Sequence, residues 1–302
     1  MFRFLERTEN TARLIEAGFR IALTRSSDFE AQWKSVVVTA GVDQGYRTAY
    51  SNYEATTVLD YLLRDTNNPS SVISATEKAR TNARMVRTAL TTEVWEAVNE
   101  NWMTMTELLK KPVRQTELPS VLATIRQQSA LVHGALHGTM LRNDVYDFAR
   151  LGTFVERADS TARIIDVKYH TLLPSTSFVG SSMDNVQWEM VLRSVSAHRA
   201  FRWLQEEEMT STAIANFLIL DRRLPRSLVF CSGQIAQNLE YLAQNYDHEP
   251  PCLTKALALH QDLQDRDINA IFKQGLHGFI QGFIRQVNDI SLQVEHDYRF
   301  IR

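Results

Sequence analysis

Along the first stretch of the chain, apolar or small side chains return at Phe4, Thr8, Thr11, Ala12, Ile15, Phe19 and Ala22. A recurrence close to every 3.6 residues predicts one long amphipathic helix with a single buried stripe. Its end is expected at Thr24-Arg-Ser-Ser-Asp28, where Ser and Asp suit a turn and the N-cap of the next helix. Further breaks are expected at Arg64–Ser71, Lys111–Ser120, Thr171–Ser182 and Asn245–Pro251, with Pro69 at or near the first position of the helix that follows it. No segment alternates with the period of two that a half-buried strand needs. Only 11 Gly and 7 Pro in 302 residues leave room for long uninterrupted helices, so the pattern predicts an all-α fold.

The pattern also repeats. Phe4-Leu-Glu-Arg-Thr-Glu-Asn-Thr-Ala-Arg-Leu-Ile15 returns, shifted by 150, as Phe154-Val-Glu-Arg-Ala-Asp-Ser-Thr-Ala-Arg-Ile-Ile165. Gln32-Trp33 matches Gln187-Trp188, and Tyr46-Arg47 matches Phe201-Arg202, at a shift of 155. Asp65…Pro69 matches Asp221…Pro225 and Asn82 matches Asn238 at 156, while Leu136-His137-Gly138 matches Leu276-His277-Gly278 at 140. The change from 156 to 140 places about sixteen extra residues in the first half, near 95–120. Collinear matches of this length predict an internal duplication: two tandem, similar antiparallel helical-bundle units, 1–143 and 144–302, packed together. Trp33 and Trp188, like Tyr46 and Phe201, are expected as core anchors. Only three residues precede Phe4, whereas Arg142–Arg150 leads straight into the second copy. Either the true start lies upstream of Met1 or the first helix is shortened.

Composition removes several function classes. A net charge of −2 gives no field that would favour nucleic acid or anionic lipid. The longest apolar stretches, such as Ile214–Leu220, fall far short of the roughly 20 residues that span a bilayer. Met1-Phe-Arg-Phe-Leu-Glu-Arg is charged from the outset, unlike a secretory signal. Cys231 and Cys252 form neither a CxxC nor a zinc pattern, which fits a cytoplasmic protein.

The candidate chemistry lies on the repeated helix. At about 100° per residue, Glu6, Glu9, Asn10 and Arg13 share one side, opposite the apolar stripe. Glu156, Asp159, Ser160 and Arg163 repeat the arrangement, and Arg7 and Arg157 directly follow the two leading glutamates. A face of this kind can simply be solvated. The recurrence of Glu-Arg and Thr-Ala-Arg in both copies, beside flanking positions that differ, points instead to a role. The face can form a buried ion-pair network, a general acid/base or cation site, or an arginine fork that grips a carboxylate or phosphate. Two such stripes related by approximate two-fold symmetry would share a polar groove. His133 and His137 stand at the i, i+4 spacing of a metal-binding pair, but His133 matches Lys273 in the duplication, leaving His137 and His277 as the recurring histidine. No HExxH, EF-hand, Walker loop, GxSxG elbow or di-iron Glu-x-x-His pattern occurs, so neither a metal nor a cofactor is expected and no catalytic residue is named.

Leu151-Gly-x-x-x-Glu-Arg-Ala-Asp-x-Thr-Ala-Arg-Ile-Ile-Asp166-Val-Lys-Tyr169 resembles the bacterial Alpha-E family. Glu6-Arg7-x-Glu-Asn10-Thr-Ala-Arg13 is similar to that family's N-terminal signature, and Phe217-Leu-Ile-Leu-Asp221-Arg-Arg-Leu-Pro-Arg-Ser227 to its second hallmark, which adds Asp221 and Arg226 to His137 and His277 as secondary candidates. Gly278 departs from the pattern, since an acidic residue is expected after His277. The resemblance implies an all-helical cytoplasmic protein without an established activity. It also implies a gene placed beside a circularly permuted ATP-grasp ligase, often with a transglutaminase-like or proteasome-like peptidase. A partner or substrate-presenting module for amide or peptide bond formation follows, with a peptide or acidic substrate. Two other readings stand beside it. One is an enzyme in its own right, using Glu6, Glu156, Arg13 and Arg163 as acid/base and anion-holding groups. The other is a purely structural oligomer.

Overall fold

A computed structural model of the chain describes residues 1–24, 29–171, 182–204 and 209–300, and among them every regular element is helical. The chain divides into two compact units, Met1–Ala149 and Arg150–Arg302. The turns expected at 25–28 and 172–181 lie outside the described residues.

The first unit contains α1 (Phe2–Thr24), α2 (Phe29–Thr39), α3 (Asp43–Ala49), α4 (Ala55–Leu63), α5 (Val72–Met85), α6 (Thr92–Leu108) and α7 (Leu118–Thr139). Side-chain caps set several of these starts. Ser71 accepts the Ser74 N–H at the head of α5, and Thr91 accepts the Val94 N–H at the head of α6. Pro69 therefore does not open α5 as expected. It lies ahead of the cap, in a turn where Asp65 Oδ1 accepts the Asn67 N–H at 2.8 Å and the buried Asn68 amide donates to the Tyr61 carbonyl at 2.9 Å. Pro119 is the second residue of α7, in the first turn, where its missing N–H has no helical acceptor to lose. The four long helices pack in succession, α1 on α5, α5 on α6, α6 on α7 and α7 back on α1. Leu5, Ala79, Val98, Val132 and Leu136 fill the space between them. The next helix, α8 (Asp144–Thr171), begins inside this unit: Tyr146 is buried in the same core, and its hydroxyl lies 2.8 Å from His137 Nδ1.

The second unit holds the rest of α8 with α9 (Ser182–Ser194), α10 (His198–Trp203), α11 (Ser211–Leu220), α12 (Leu228–Tyr246), α13 (Pro251–Asp265), α14 (Ile268–Gln274) and α15 (Leu276–Asp297). Thr210, Ser227 and Asp267 cap α11, α12 and α14. Helix α12 packs on α13 and α13 on α15. Helix α8 meets α12 through Phe154 and Phe230, with ring centres 5.9 Å apart, and meets α15 through Asp166 and His277. Trp188 is as deeply buried here as Trp33 is in the first unit, and Phe201 packs edge-on against Phe217. Cys231 and Cys252 are both buried, and burial, reinforced by Asp297, pushes the Cys252 thiol up to about 12. At that value the reactive thiolate is scarce near neutral pH.

Two histidines of this unit make its stability depend on pH. His260 Nδ1 lies 3.0 Å from Ser232 Oγ, and its Nε2 faces the Gln264 side-chain amide at 2.7 Å. Burial, then the Arg222 charge, lowers its pKa from the ordinary 6.5. Burial and Arg193 lower that of His198 in the same way. Folding thus disfavours the protonated form of both groups, which bind a proton more readily when unfolded. Their contribution is therefore complete above about 6.5 and is lost as pH falls through the window below it. Urea unfolding followed at pH 7.5 and 5.5 should show stability falling toward the acid side, and falling less in His260→Gln. An identical pH slope in both proteins would contradict the assignment.

Candidate functional site

The polar stripe of α1 is not a solvated face. Glu6 is 0% exposed, and Glu9 and Asn10 are 6% exposed each. Helix α1 has α5 on one flank and α7 on another, so the side opposite the apolar stripe meets protein rather than water. The two helices run antiparallel. Arg126, Ser129 and His133, advancing along α7, meet Glu16, Glu9 and Glu6, receding along α1. Arg13 forks onto Glu9 Oε1 with Nε at 2.9 Å and Nη2 at 2.6 Å, and Ser129 Oγ donates to Glu9 Oε2 at 3.1 Å. One turn along α7, His133 Nε2 stands 3.4 Å from Glu6 Oε2. That separation allows charge attraction, but the atom forms no hydrogen bond with a described residue. The Phe2 ring lies against the His133 ring at 5.7 Å.

The second stripe is built alike but is more open. Glu156 is buried, while the Asp159 and Arg163 side chains are 21% and 33% exposed. Arg163 Nε and Nη2 reach Asp159 at 2.7 and 3.2 Å. Arg157 lies over the Phe154 ring at 5.3 Å, as Arg7 lies over Phe4 at 5.7 Å. Consecutive helical residues point about 100° apart, so each Glu-Arg pair sends its carboxylate inward and its guanidinium over an aromatic face one turn back.

A protein-family profile matches residues 1–298 and describes a predicted alpha-helical domain with a conserved ER motif. The chain belongs to the Alpha-E family. Its Glu-Arg pairs are Glu6-Arg7 and Glu156-Arg157. No curated protein and no solved structure matches this Alpha-E chain.

The residue that sequence reasoning set aside is His133. One ligand atom from each of Glu6, Glu9 and His133 lies within 4.8 Å of the others. His133 was discounted because Leu136-His137-Gly138 was matched with Leu276-His277-Gly278. The structure puts His137 in the last turn of α7 and His277 in the first turn of α15, so the two are not equivalent positions. The i, i+4 spacing of His133 and His137 was a usable signal for His133 alone, since His137 turns to Tyr146.

The other secondary candidates occupy local settings of their own in the Alpha-E fold. His277 Nδ1 lies 2.6 Å from Asp166 Oδ1, and Gln281 donates to the other oxygen at 2.8 Å. Asp221 closes the turn between α11 and α12: it accepts the Arg223 N–H at 2.8 Å, and its carbonyl accepts the Ser227 hydroxyl at 2.6 Å. Burial would raise the Asp221 carboxyl, but the hydrogen bonds from the Arg223 side chain and backbone outweigh it and hold the pKa below the ordinary 3.8. Arg226 is buried in the same turn. Among the described residues no helix is long and apolar enough to cross a membrane.

Proposed function

We propose that this Alpha-E protein is a cytoplasmic helical partner, or substrate-presenting module, of an ATP-grasp ligase that forms or modifies amide or peptide bonds, and that the chain is two copies of one helical unit. The duplication draws support from the order of elements. A long helix, three shorter ones, an Asp-led turn and a Ser-capped long helix run from α1 to α5 and again from α8 to α12. The partner reading rests chiefly on the state of the motif's arginines. Arg13 and Arg163, which would grip a free anion, are already forked onto Glu9 and Asp159 of their own helices. With no phosphate-cradling loop in the sequence, the chain is suited to presenting a peptide or acidic substrate to a ligase rather than to turning over nucleotide itself.

Mixing the purified chain with the ATP-grasp ligase that the family resemblance places beside its gene tests this directly. The two should co-elute, and ADP release should rise roughly tenfold or more over the ligase alone, about 1.4 kcal/mol of barrier. The chain alone should release none. Separate elution with unchanged ATP turnover would remove the reading. The clustering of Glu6, Glu9 and His133 favours a second reading, an enzyme in its own right, which predicts turnover by the chain without a ligase.

A further inference from the structure

We propose that Glu6, Glu9 and His133 form a binding site for one divalent first-row transition ion in the first unit. The donor set is two carboxylates and one imidazole, gathered so that one atom of each lies within 4.8 Å of the others. Around tetrahedral zinc, Nε2 and carboxylate oxygens stand roughly 2.0–2.2 Å from the ion, so ligand atoms lie about 3.4 Å from one another. His133 Nε2 and Glu6 Oε2 already stand at that separation, 3.4 Å, and closing the rest of the cluster onto an ion needs at most about 1.4 Å of side-chain rotation. A nitrogen donor beside oxygens favours zinc, manganese or iron over the all-oxygen shells of calcium and magnesium.

Three further observations point to an ion rather than to an ordinary ion pair. His133 Nε2, a strong ligand atom, is buried and forms no hydrogen bond with a described residue, while standing 3.4 Å from the wholly buried Glu6 carboxylate. Glu9 is oriented by Arg13 on Oε1 and Ser129 on Oε2, the outer hydrogen bonds that orient ligands in metal sites. The ligands come from two antiparallel helices, α1 and α7, whose packing presets their spacing. Three protein ligands leave a coordination position for water or a substrate oxygen. No such set occurs among the described residues of the second unit. Aligned on the first residues of α7 and α15, Leu118 and Leu276, Ser291 stands where the first unit has His133. The ion is therefore one per chain, not two. This inference does not depend on the ligase reading.

The full chain, stripped with chelator and dialysed, is titrated calorimetrically with Zn²⁺ and, separately, with Mn²⁺. One ion per chain should bind and raise the melting temperature. His133→Ala and His133→Gln should each weaken binding roughly tenfold or more while keeping the ion-free melting temperature and helical circular dichroism. In the unmutated protein, Co²⁺ should shift the His133 ring resonances paramagnetically, a readout that survives any misfolding of the variants. No bound ion, two equivalent ions, binding unchanged in both variants, or an unshifted His133 ring would each overturn the site.

Discussion

Glu9→Ala should lower the unfolding free energy by about 3 kcal/mol, whereas Asp159→Ala should lower it by less than about 1 kcal/mol. Both carboxylates sit four residues before an arginine that forks onto them, and both pairs close at normal ion-pair distances. Sequence spacing alone would rank them equal. The difference is water. Arg13 and Glu9 are 12% and 8% exposed, so removing the carboxylate takes two charged hydrogen bonds from a guanidinium with little solvent to replace them, and also takes the acceptor from Ser129. Arg163 and Asp159 are 33% and 21% exposed, so water can take over and the Coulomb energy is screened. Denaturant melts of both variants, with hydrogen exchange read separately on α1 and α8, give the comparison. Equal losses would mean that the depth of the α1 stripe does not control its energetics.

That contrast marks how far the sequence could be read. The angular placement of Glu6, Glu9, Asn10 and Arg13 on one side of α1 follows from helical geometry. Helical periodicity says which residues share a side, but not what packs there. A polar side facing α7 and a polar side facing water have the same pattern along the chain. The recurrence in the sequence was legible where the match was long, at the two Glu-Arg helices. It misled where only three residues agreed. Matching Leu-His-Gly across the halves implied an insertion near 95–120 and discarded His133, yet the helix starts 72 and 228, then 118 and 276, keep shifts of 156 and 158 through that region. The boundary between units could not be read either, because Tyr146 belongs to one core while the helix it starts continues into the other unit.

Gly18→Ala should destabilise the first unit by about 2 kcal/mol, although alanine is the better helix former by about 1 kcal/mol. A Cβ built at Gly18 falls 2.2 Å from Val36 Cγ2 and 3.6 Å from Val36 Cβ. Val36 is 3% exposed and branched at Cβ, so the methyl cannot rotate away into space, and α1 and α2 must separate. Gly138, on α7, is the control: nothing lies within 4 Å of its built Cβ, so Gly138→Ala should be neutral or stabilising by up to about 1 kcal/mol. If the clash with Val36 is the cause, Val36→Ala should be better tolerated in the Gly18→Ala background than alone, with a coupling of about 1–2 kcal/mol. Additive effects, or a Gly18→Ala protein as stable as wild type, would mean that α1 and α2 do not approach as closely as this packing requires.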